Sequence, residues 1–297
     1  MNNLLTVLQS MRLPFLLLTP ICVLLGSSYI HYLGMPVDIL LLTLVLIGAT
    51  LSHISVNMIN EYLDFASGLD LHTDKTPFSG GSGALPANPS MASAVLYTGV
   101  SAITLTILIG VYFVWIQGAT IVPVGVLGVL IIVTYTQWLN RLPLVCLVAP
   151  GIGFGVLMVV GTTIILSGQV VPATWMIAVS PFMLVNNLLL LNQLPDIDAD
   201  RAAGRRHFPI AYGVRSSIVI YTVFSACAYI SIIYPVVTGA LPALSLIALL
   251  TIPLAVFAIR GGYRHGKNIG SHPVYLAANV ATSLLTPALL AVSLFLS

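Results

Sequence analysis

A chain of 297 residues with 58% hydrophobic and only 6% charged residues cannot clothe a water-soluble surface, where about a quarter of all residues are normally charged. The net charge of +2, carried by basic residues that are few and not interleaved with exposed aromatics, argues against nucleic acid as a partner. The three cysteines all lie in apolar runs without paired spacing, which argues against a disulfide framework or a cysteine metal site.

The apolar runs are continuous, and each offers the roughly 20 helical residues that cross a hydrocarbon core of about 30 Å. Barrel strands would instead alternate in polarity over about ten residues. An all-α integral membrane fold is therefore expected, because each helix satisfies its own backbone in the lipid bilayer. Cutting the runs at Gly, Pro and charged residues predicts nine transmembrane helices, near 13–33, 38–62, 91–115, 119–137, 144–166, 173–195, 215–237, 241–259 and 273–296. They form one domain, 1–297. The first run leads to Ile30-His31-Tyr32 with neither a basic start nor a small-residue cleavage pattern, so it is read as a retained span rather than a signal peptide.

Nine spans put all ten Lys and Arg residues on one side. The opposite connections, such as Gly34-Met35-Pro36-Val37 and Gly239-Ala240-Leu241-Pro242, carry none. The positive-inside rule then places the N-terminus and two long loops, about 63–90 and 196–214, in the cytoplasm, with the inner cell membrane as the expected bilayer.

Of the eight carboxylates, seven fall in two short segments. Asn60-Glu61-Tyr62-Leu63-Asp64 closes the second span and continues through Asp70 to Asp74-Lys75. Asn192-Gln193-Leu194-Pro195-Asp196-Ile197-Asp198-Ala199-Asp200-Arg201 closes the sixth and continues to Gly204-Arg205-Arg206. Both emerge on the same face, and an Asn followed four residues later by an Asp occurs in each, which suggests a parallel internal repeat. Residues i and i+4 share one side of a helix, so Asn60 points with Asp64, and Asn192 with Asp196 and then Asp200; Asp198 is out of phase and solvated. Asn57 and His53 extend the first stripe into the span as a polar seam, and such seams face the bundle interior.

Two carboxylates about 6 Å apart repel by on the order of 3 kcal/mol at an effective dielectric near 20. Gathering them calls for cations. Carboxylate and Asn oxygens suit a hard divalent ion, and magnesium bridging to a phosphate fits best. Lys75, Arg201, Arg205 and Arg206 supply charge for the remaining phosphate oxygens. The competing reading is that these charges only solvate two loops. A different class of function, an ion-coupled membrane transporter, also uses membrane carboxylates, but places them nearer the bilayer midplane than the span ends occupied here.

At these residues the chain resembles the UbiA superfamily of intramembrane prenyltransferases, which carry two Asp-rich motifs after the second and sixth of nine transmembrane helices. The first segment, with Asp70 six residues beyond Asp64, is similar to the dihydroxynaphthoate prenyltransferases of menaquinone synthesis, although relatives usually have Asp where Glu61 stands. The second segment is similar to that branch too, with Gln193 and Pro195 departing from its commoner residues. The resemblance implies magnesium-dependent transfer of a prenyl group from a prenyl diphosphate to an aromatic acceptor, dihydroxynaphthoate in quinone biosynthesis being the candidate. It implies Asn60, Asp64, Asn192, Asp196 and Asp200 as ligands of Mg2+ and diphosphate, with Asp70 and Asp74 as additions. Asp64, Asp196 and Asp200 are the expected catalytic acids, and Lys75 and Arg205 the diphosphate clamp. Asn57 and Arg141 are candidate substrate contacts, though Arg141, like Arg12, is equally explained as a positive-inside anchor. Tyr135 stabilises an allylic cation through its ring or is an interfacial aromatic. The glycine-rich stretch 76–83 is a lid over the phosphate or a plain connection.

Overall fold

A backbone in lipid must find its hydrogen bonds within each segment, and every regular element among the described residues is helical. The structure, a computed structural model, describes residues 3–71, 76 and 78–297. In chain order the helices are α1 (Asn3–Ser10), α2 (Leu13–Leu16), α3 (Leu18–Tyr32), α4 (Ile39–Ala66), α5 (Ala84–Ala87), α6 (Ala92–Gln117), α7 (Val122–Thr134), α8 (Pro143–Gly151), α9 (Val159–Ser167), α10 (Thr174–Asn192), α11 (Ile197–Ala202), α12 (Phe208–Val237), α13 (Ile252–His265) and α14 (Pro273–Phe295). A π-helical segment, Ile152–Met158, joins α8 to α9.

Among the described residues, eight helical stretches are long and apolar enough to cross a membrane. The expected spans 91–115 and 119–137 fall together in one of them, Pro89–Thr134, of 46 residues. A straight helix of that length would measure roughly 69 Å, more than twice a bilayer core. It is not straight: Gly118, at φ 74° and ψ −165°, ends α6 in a conformation that a residue with a Cβ rarely adopts. A short 3-10 turn over Gly118–Ile121 follows, and α7 restarts with a proline in its first turn.

Helix α4 has 28 residues, about 42 Å, longer than a hydrocarbon core of about 30 Å. Its N-terminus is capped by Asp38, whose Oδ1 accepts from the Leu41 amide at 3.0 Å; the one acid outside the two motif segments therefore has a local structural task. Helix α10 behaves differently from the expectation of a continuous 173–195 span carrying Asn192 and Asp196 on one side. It ends at Asn192, and Asp196 precedes the separate short helix α11. The cause is Pro195, which has no amide to continue the helix and pushes Leu194 out of the helical region.

The molecule has a filled side and a hollow side. On the filled side α10, α12, α13 and α14 pack with α3 around buried Leu190, Leu191, Ile218, Tyr221, Ile232 and Leu276. Asn187 Nδ2 donates to the Tyr221 carbonyl and to Ser225 Oγ, both at 2.9 Å, and Tyr221 Oη donates to Asn279 Oδ1 at 2.9 Å. Such bonds across helices replace the hydrophobic drive that lipid removes. On the hollow side α4, α6, α7, α8 and α9, with α10 as partition, line an open-sided cavity of about 760 Å³.

Candidate active site at the mouth of the cavity

The end of α4 supplies the first wall of the cavity mouth. Asn60 Nδ2 donates to Asp64 Oδ2 at 2.9 Å, and Asn60 Oδ1 accepts from Thr136 Oγ1 at 2.9 Å. These bonds put the motif at the level of the turn that follows α7. One helical turn earlier, Asn57 Nδ2 donates to the Met11 carbonyl at 2.9 Å and ties α4 to the N-terminal segment.

The second wall comes from the segment after α10. Gly204, at φ 79°, turns the chain back so that the Arg205 amide donates to the Asp200 carbonyl at 2.9 Å. The Arg205 side chain then bridges the two motifs: Nη1 donates to Asp200 Oδ1 at 2.8 Å, and Nη2 donates to Asp64 Oδ1. Burial works to lower the Arg205 pKa, but the Asp64 and Asp200 carboxylates outweigh it and hold the guanidinium above its ordinary value. His207 Nε2 pairs with Asp200 Oδ2 at 2.9 Å.

The glycine-rich stretch 78–83 lies over both walls, and its amides are engaged. Gly80 N–H donates to Asp196 Oδ2 at 3.1 Å, and Ser82 N–H donates to Glu61 Oε2 at 3.1 Å. Glu61 is fully buried, accepts the Ser82 hydroxyl, and pairs with Arg12 Nη2 at 3.1 Å. It therefore fastens the loop and the N-terminal segment to α4. Gly81 is required twice over: its φ is 73°, and a Cβ there would stand 2.7 Å from Asp70 Oδ1.

Two acids carry unusual charge costs. Burial first, then the negative charges of Glu61 and Asp64, push Asp70 up to about 7. Burial, then Asp200, push Asp196 up to about 7, although the Gly80 amide works the other way. Burial also raises the Tyr135 phenol. Asp198, by contrast, is exposed and pairs with Lys267 at 2.9 Å, in keeping with its out-of-phase position.

Whether these residues suit Mg2+ can be judged from their free oxygens. Asp70 Oδ2, Asn192 Oδ1 and Asp196 Oδ1 are buried without a hydrogen-bond partner, which normally costs stability unless a ligand completes them. All are hard oxygen donors of the kind magnesium prefers. Among the described residues no three acidic, His or Cys groups converge into a ready cage. Magnesium commonly takes one or two carboxylates and completes its shell with substrate phosphates and water, so the donor set fits an ion shared with a bound diphosphate.

Of the residues singled out from sequence, Asn57, Asn60, Asp64, Tyr135, Asn192, Asp196, Asp200 and Arg205 line one cavity. Asp70 lies against Gly81 at its rim. Arg141 is exposed and does not line it, so the structure leaves it as a surface residue. Asp74 and Lys75 lie outside the described residues. Sequence reasoning missed His207 and Asn140, both buried in the cavity wall. His207 reaches Asp200 only through the turn at Gly204, and Asn140 sits in the turn after α7; no spacing rule signals either. Below the mouth the wall is largely apolar, with Phe113, Phe154, Leu157, Met158 and Val129 among its residues, and His53, Ser52, Thr106 and Thr162 add polar groups to it.

A charged, oxygen-rich mouth thus opens into a largely apolar chamber within the helix bundle. Residues 17–273 match the UbiA prenyltransferase family, and the chain belongs to that family; it is an intramembrane prenyltransferase. It is similar to the 1,4-dihydroxy-2-naphthoate octaprenyltransferase of Bacillus subtilis (strain 168), 27% identical over 231 residues that cover 76% of this chain and 72% of the relative. Its fold is similar to that of a UbiA homolog from Archaeoglobus fulgidus bound to GPP and Mg2+, with a TM-score of 0.70, 14% identity, and 98% and 100% of the two chains covered. It is also similar to the apo UbiA homolog from Aeropyrum pernix K1, with a TM-score of 0.61, 17% identity, and 92% and 97% covered.

Proposed function

We propose that the protein transfers the prenyl group of a prenyl diphosphate to an aromatic acceptor of the 1,4-dihydroxy-2-naphthoate class, with Mg2+ as cofactor. The observation that carries this reading is the Arg205 bridge, which joins Asp64 and Asp200 from segments far apart in sequence at the mouth of one apolar cavity. The naphthoate acceptor of the Bacillus subtilis relative and the GPP and Mg2+ of the Archaeoglobus fulgidus homolog support it.

In this reading the diphosphate sits at the mouth and the prenyl tail runs down the apolar wall. Asn60, Asp64, Asp70, Asp74, Asn192, Asp196 and Asp200 supply the oxygens that hold magnesium. Bound there, the ion supplies Lewis-acid neutralisation of charge on the departing diphosphate. Arg205, joined by Lys75, binds the leaving oxygens through charge-assisted bonds, and this stabilisation is greatest as their charge develops. The apolar wall excludes water from the allylic carbon, and the Tyr135 ring lends its electron-rich face to the cation. An electron-rich carbon of the acceptor attacks, and the ring regains aromaticity by losing a proton, or carbon dioxide where that carbon bears a carboxylate. The stretch broken at Gly118 then crosses the membrane twice, giving nine crossings, with the basic residues and the mouth on the cytoplasmic side of the inner membrane.

The test is diphosphate release and product mass by purified protein given a prenyl diphosphate, dihydroxynaphthoate and Mg2+. Asp64→Ala and Asp196→Ala should each lower turnover by about 10²–10³-fold or more while the protein remains folded in detergent. Full turnover in both would overturn their roles. Counterflow of a labelled solute in sealed vesicles, with no prenylated product, would favour transport instead.

A further inference from the structure

Glycine is the poorest helix former apart from proline, so a glycine inside a helix needs a reason. In membrane bundles the usual reason is close approach of a neighbouring helix. Most helical glycines here have it: a Cβ on Gly26 would stand 2.8 Å from the Val159 carbonyl oxygen, and one on Gly99 would stand 3.2 Å from Met58 and Ile59 side-chain atoms. Three do not. Among the glycines described at ordinary helical φ, only Gly110, Gly125 and Gly153 would place a Cβ with nothing within 4 Å. All three line the cavity, although they come from α6, α7 and the π-helical segment.

They also stand at different depths. The Thr136–Asn60 hydrogen bond marks the level of the mouth. Gly128 lies opposite Leu157, and Gly161 opposite Val124, so α7 and the following segment run antiparallel. Gly153 is then level with about residue 132, roughly 6 Å below the mouth at 1.5 Å per residue, and Gly125 is roughly 16 Å below it. Gly48 on α4 meets Ile109, which puts Gly110 roughly 20 Å below. At the mouth itself Asn192, 8% exposed, lines the same cavity and holds a buried Oδ1 without a partner, which a polar head at the mouth would satisfy.

We infer that Gly153, Gly125 and Gly110 set the prenyl length this enzyme accepts, by keeping three successive levels of the tail channel free of side chains. This rests on the proposed function, which supplies the tail. A side chain at each position would close the channel at its own depth, so the length limit should follow the order Gly153, Gly125, Gly110.

The experiment uses full-length protein with Mg2+, dihydroxynaphthoate and prenyl diphosphates from geranyl upward, with the kcat/KM ratio of long to short donors as readout. Gly153→Leu should lower that ratio by on the order of tenfold or more and restrict products to the shortest chains. Gly125→Leu should stop at an intermediate length, and Gly110→Leu should reject only the longest. The three Ala variants, which add one methyl into open space, give the same order with smaller shifts if a Leu variant fails to fold. Thermal stabilisation by the same diphosphates with Mg2+ provides a readout free of acceptor chemistry. Stabilisation that grows with donor length in the wild type and is cut back in the variants, without prenylated product, would sink the acceptor reading and leave the length gauge standing. Unchanged length profiles in folded variants, or wild-type stabilisation independent of donor length, would overturn the gauge.

Discussion

The two sides of the bundle use the same residue types for opposite ends. On the filled side Gly261 and Gly262 exist for contact: a Cβ on the first would stand 2.2 Å from Tyr275, and on the second 2.7 Å from Ile218. On the hollow side Gly110, Gly125 and Gly153 face empty space. Buried amides divide in the same way. Asn279 on the filled side donates to the Leu188 carbonyl at 3.2 Å and accepts from Tyr221, whereas Asn192 at the cavity mouth keeps a free oxygen. Lipid tails are as apolar as leucine, so helices in a bilayer associate through close packing and buried polar bonds rather than hydrophobic drive. The hollow side uses both devices at its edges: a Cβ on Gly99 would stand 3.2 Å from Met58 and one on Gly155 2.3 Å from Phe182, and Thr106 Oγ1 donates to the Gly48 carbonyl at 3.3 Å. It stays open between these contacts without losing the fold.

The mouth is where the two sides are pinned together, and Arg205 is the pin. Its side chain is 19% exposed, between carboxylates that are 8% and 6% exposed. Arg205→Ala would leave Asp64 and Asp200 buried without their cation, and breaking such a pair typically costs about 3–5 kcal/mol. Reversible unfolding in mixed micelles without Mg2+ should show a loss of this size, with added Mg2+ restoring part of it by supplying charge. Unfolding at the wild-type midpoint would mean that the hollow side holds its shape without the bridge.

A smaller effect is expected on the filled side. Gly261→Ala would drive a methyl into the ring of Tyr275, which packs on Phe257 with ring centroids 4.5 Å apart. Overpacking of this kind costs about 1–3 kcal/mol, measured in the same unfolding assay, and Mg2+ should restore none of it because the cost is steric and leaves no carboxylate without a cation. A neutral result would erase the difference drawn between contact glycines and space glycines.

Much of the mouth was legible in the sequence, for a physical reason that also marks where legibility stopped. Asn60 and Asp64 sit on one uninterrupted helix, so their spacing of four translated directly into the 2.9 Å bond between them. The same spacing in Asn192 and Asp196 did not, because Pro195 ends the helical phase between them. Those two still share the cavity, but through the fold of a turn rather than a helix face. His207 and Asn140 depend on turns whose geometry no periodicity encodes. Glu61 stands in the motif like a ligand, yet it is consumed by Arg12 and Ser82. Glycine is the least legible of all: its letter is the same whether a helix presses on it or a void opens above it.

That ambiguity gives the finest test of the comparison. Gly125→Ala adds a methyl that meets nothing within 4 Å and replaces the poorest ordinary helix former with the best, a change worth about 0.5–1 kcal/mol in favour of the helix. The substitution should therefore raise the unfolding midpoint slightly, the reverse of Gly261→Ala, while lowering turnover of the longest donors more than that of the shortest. A gain in stability bought with a loss of function is the pattern expected where a residue is kept for an open site rather than for packing. Destabilisation by Gly125→Ala would show instead that α7 is pressed by a neighbour at this level, as α6 is by α4 at Gly99.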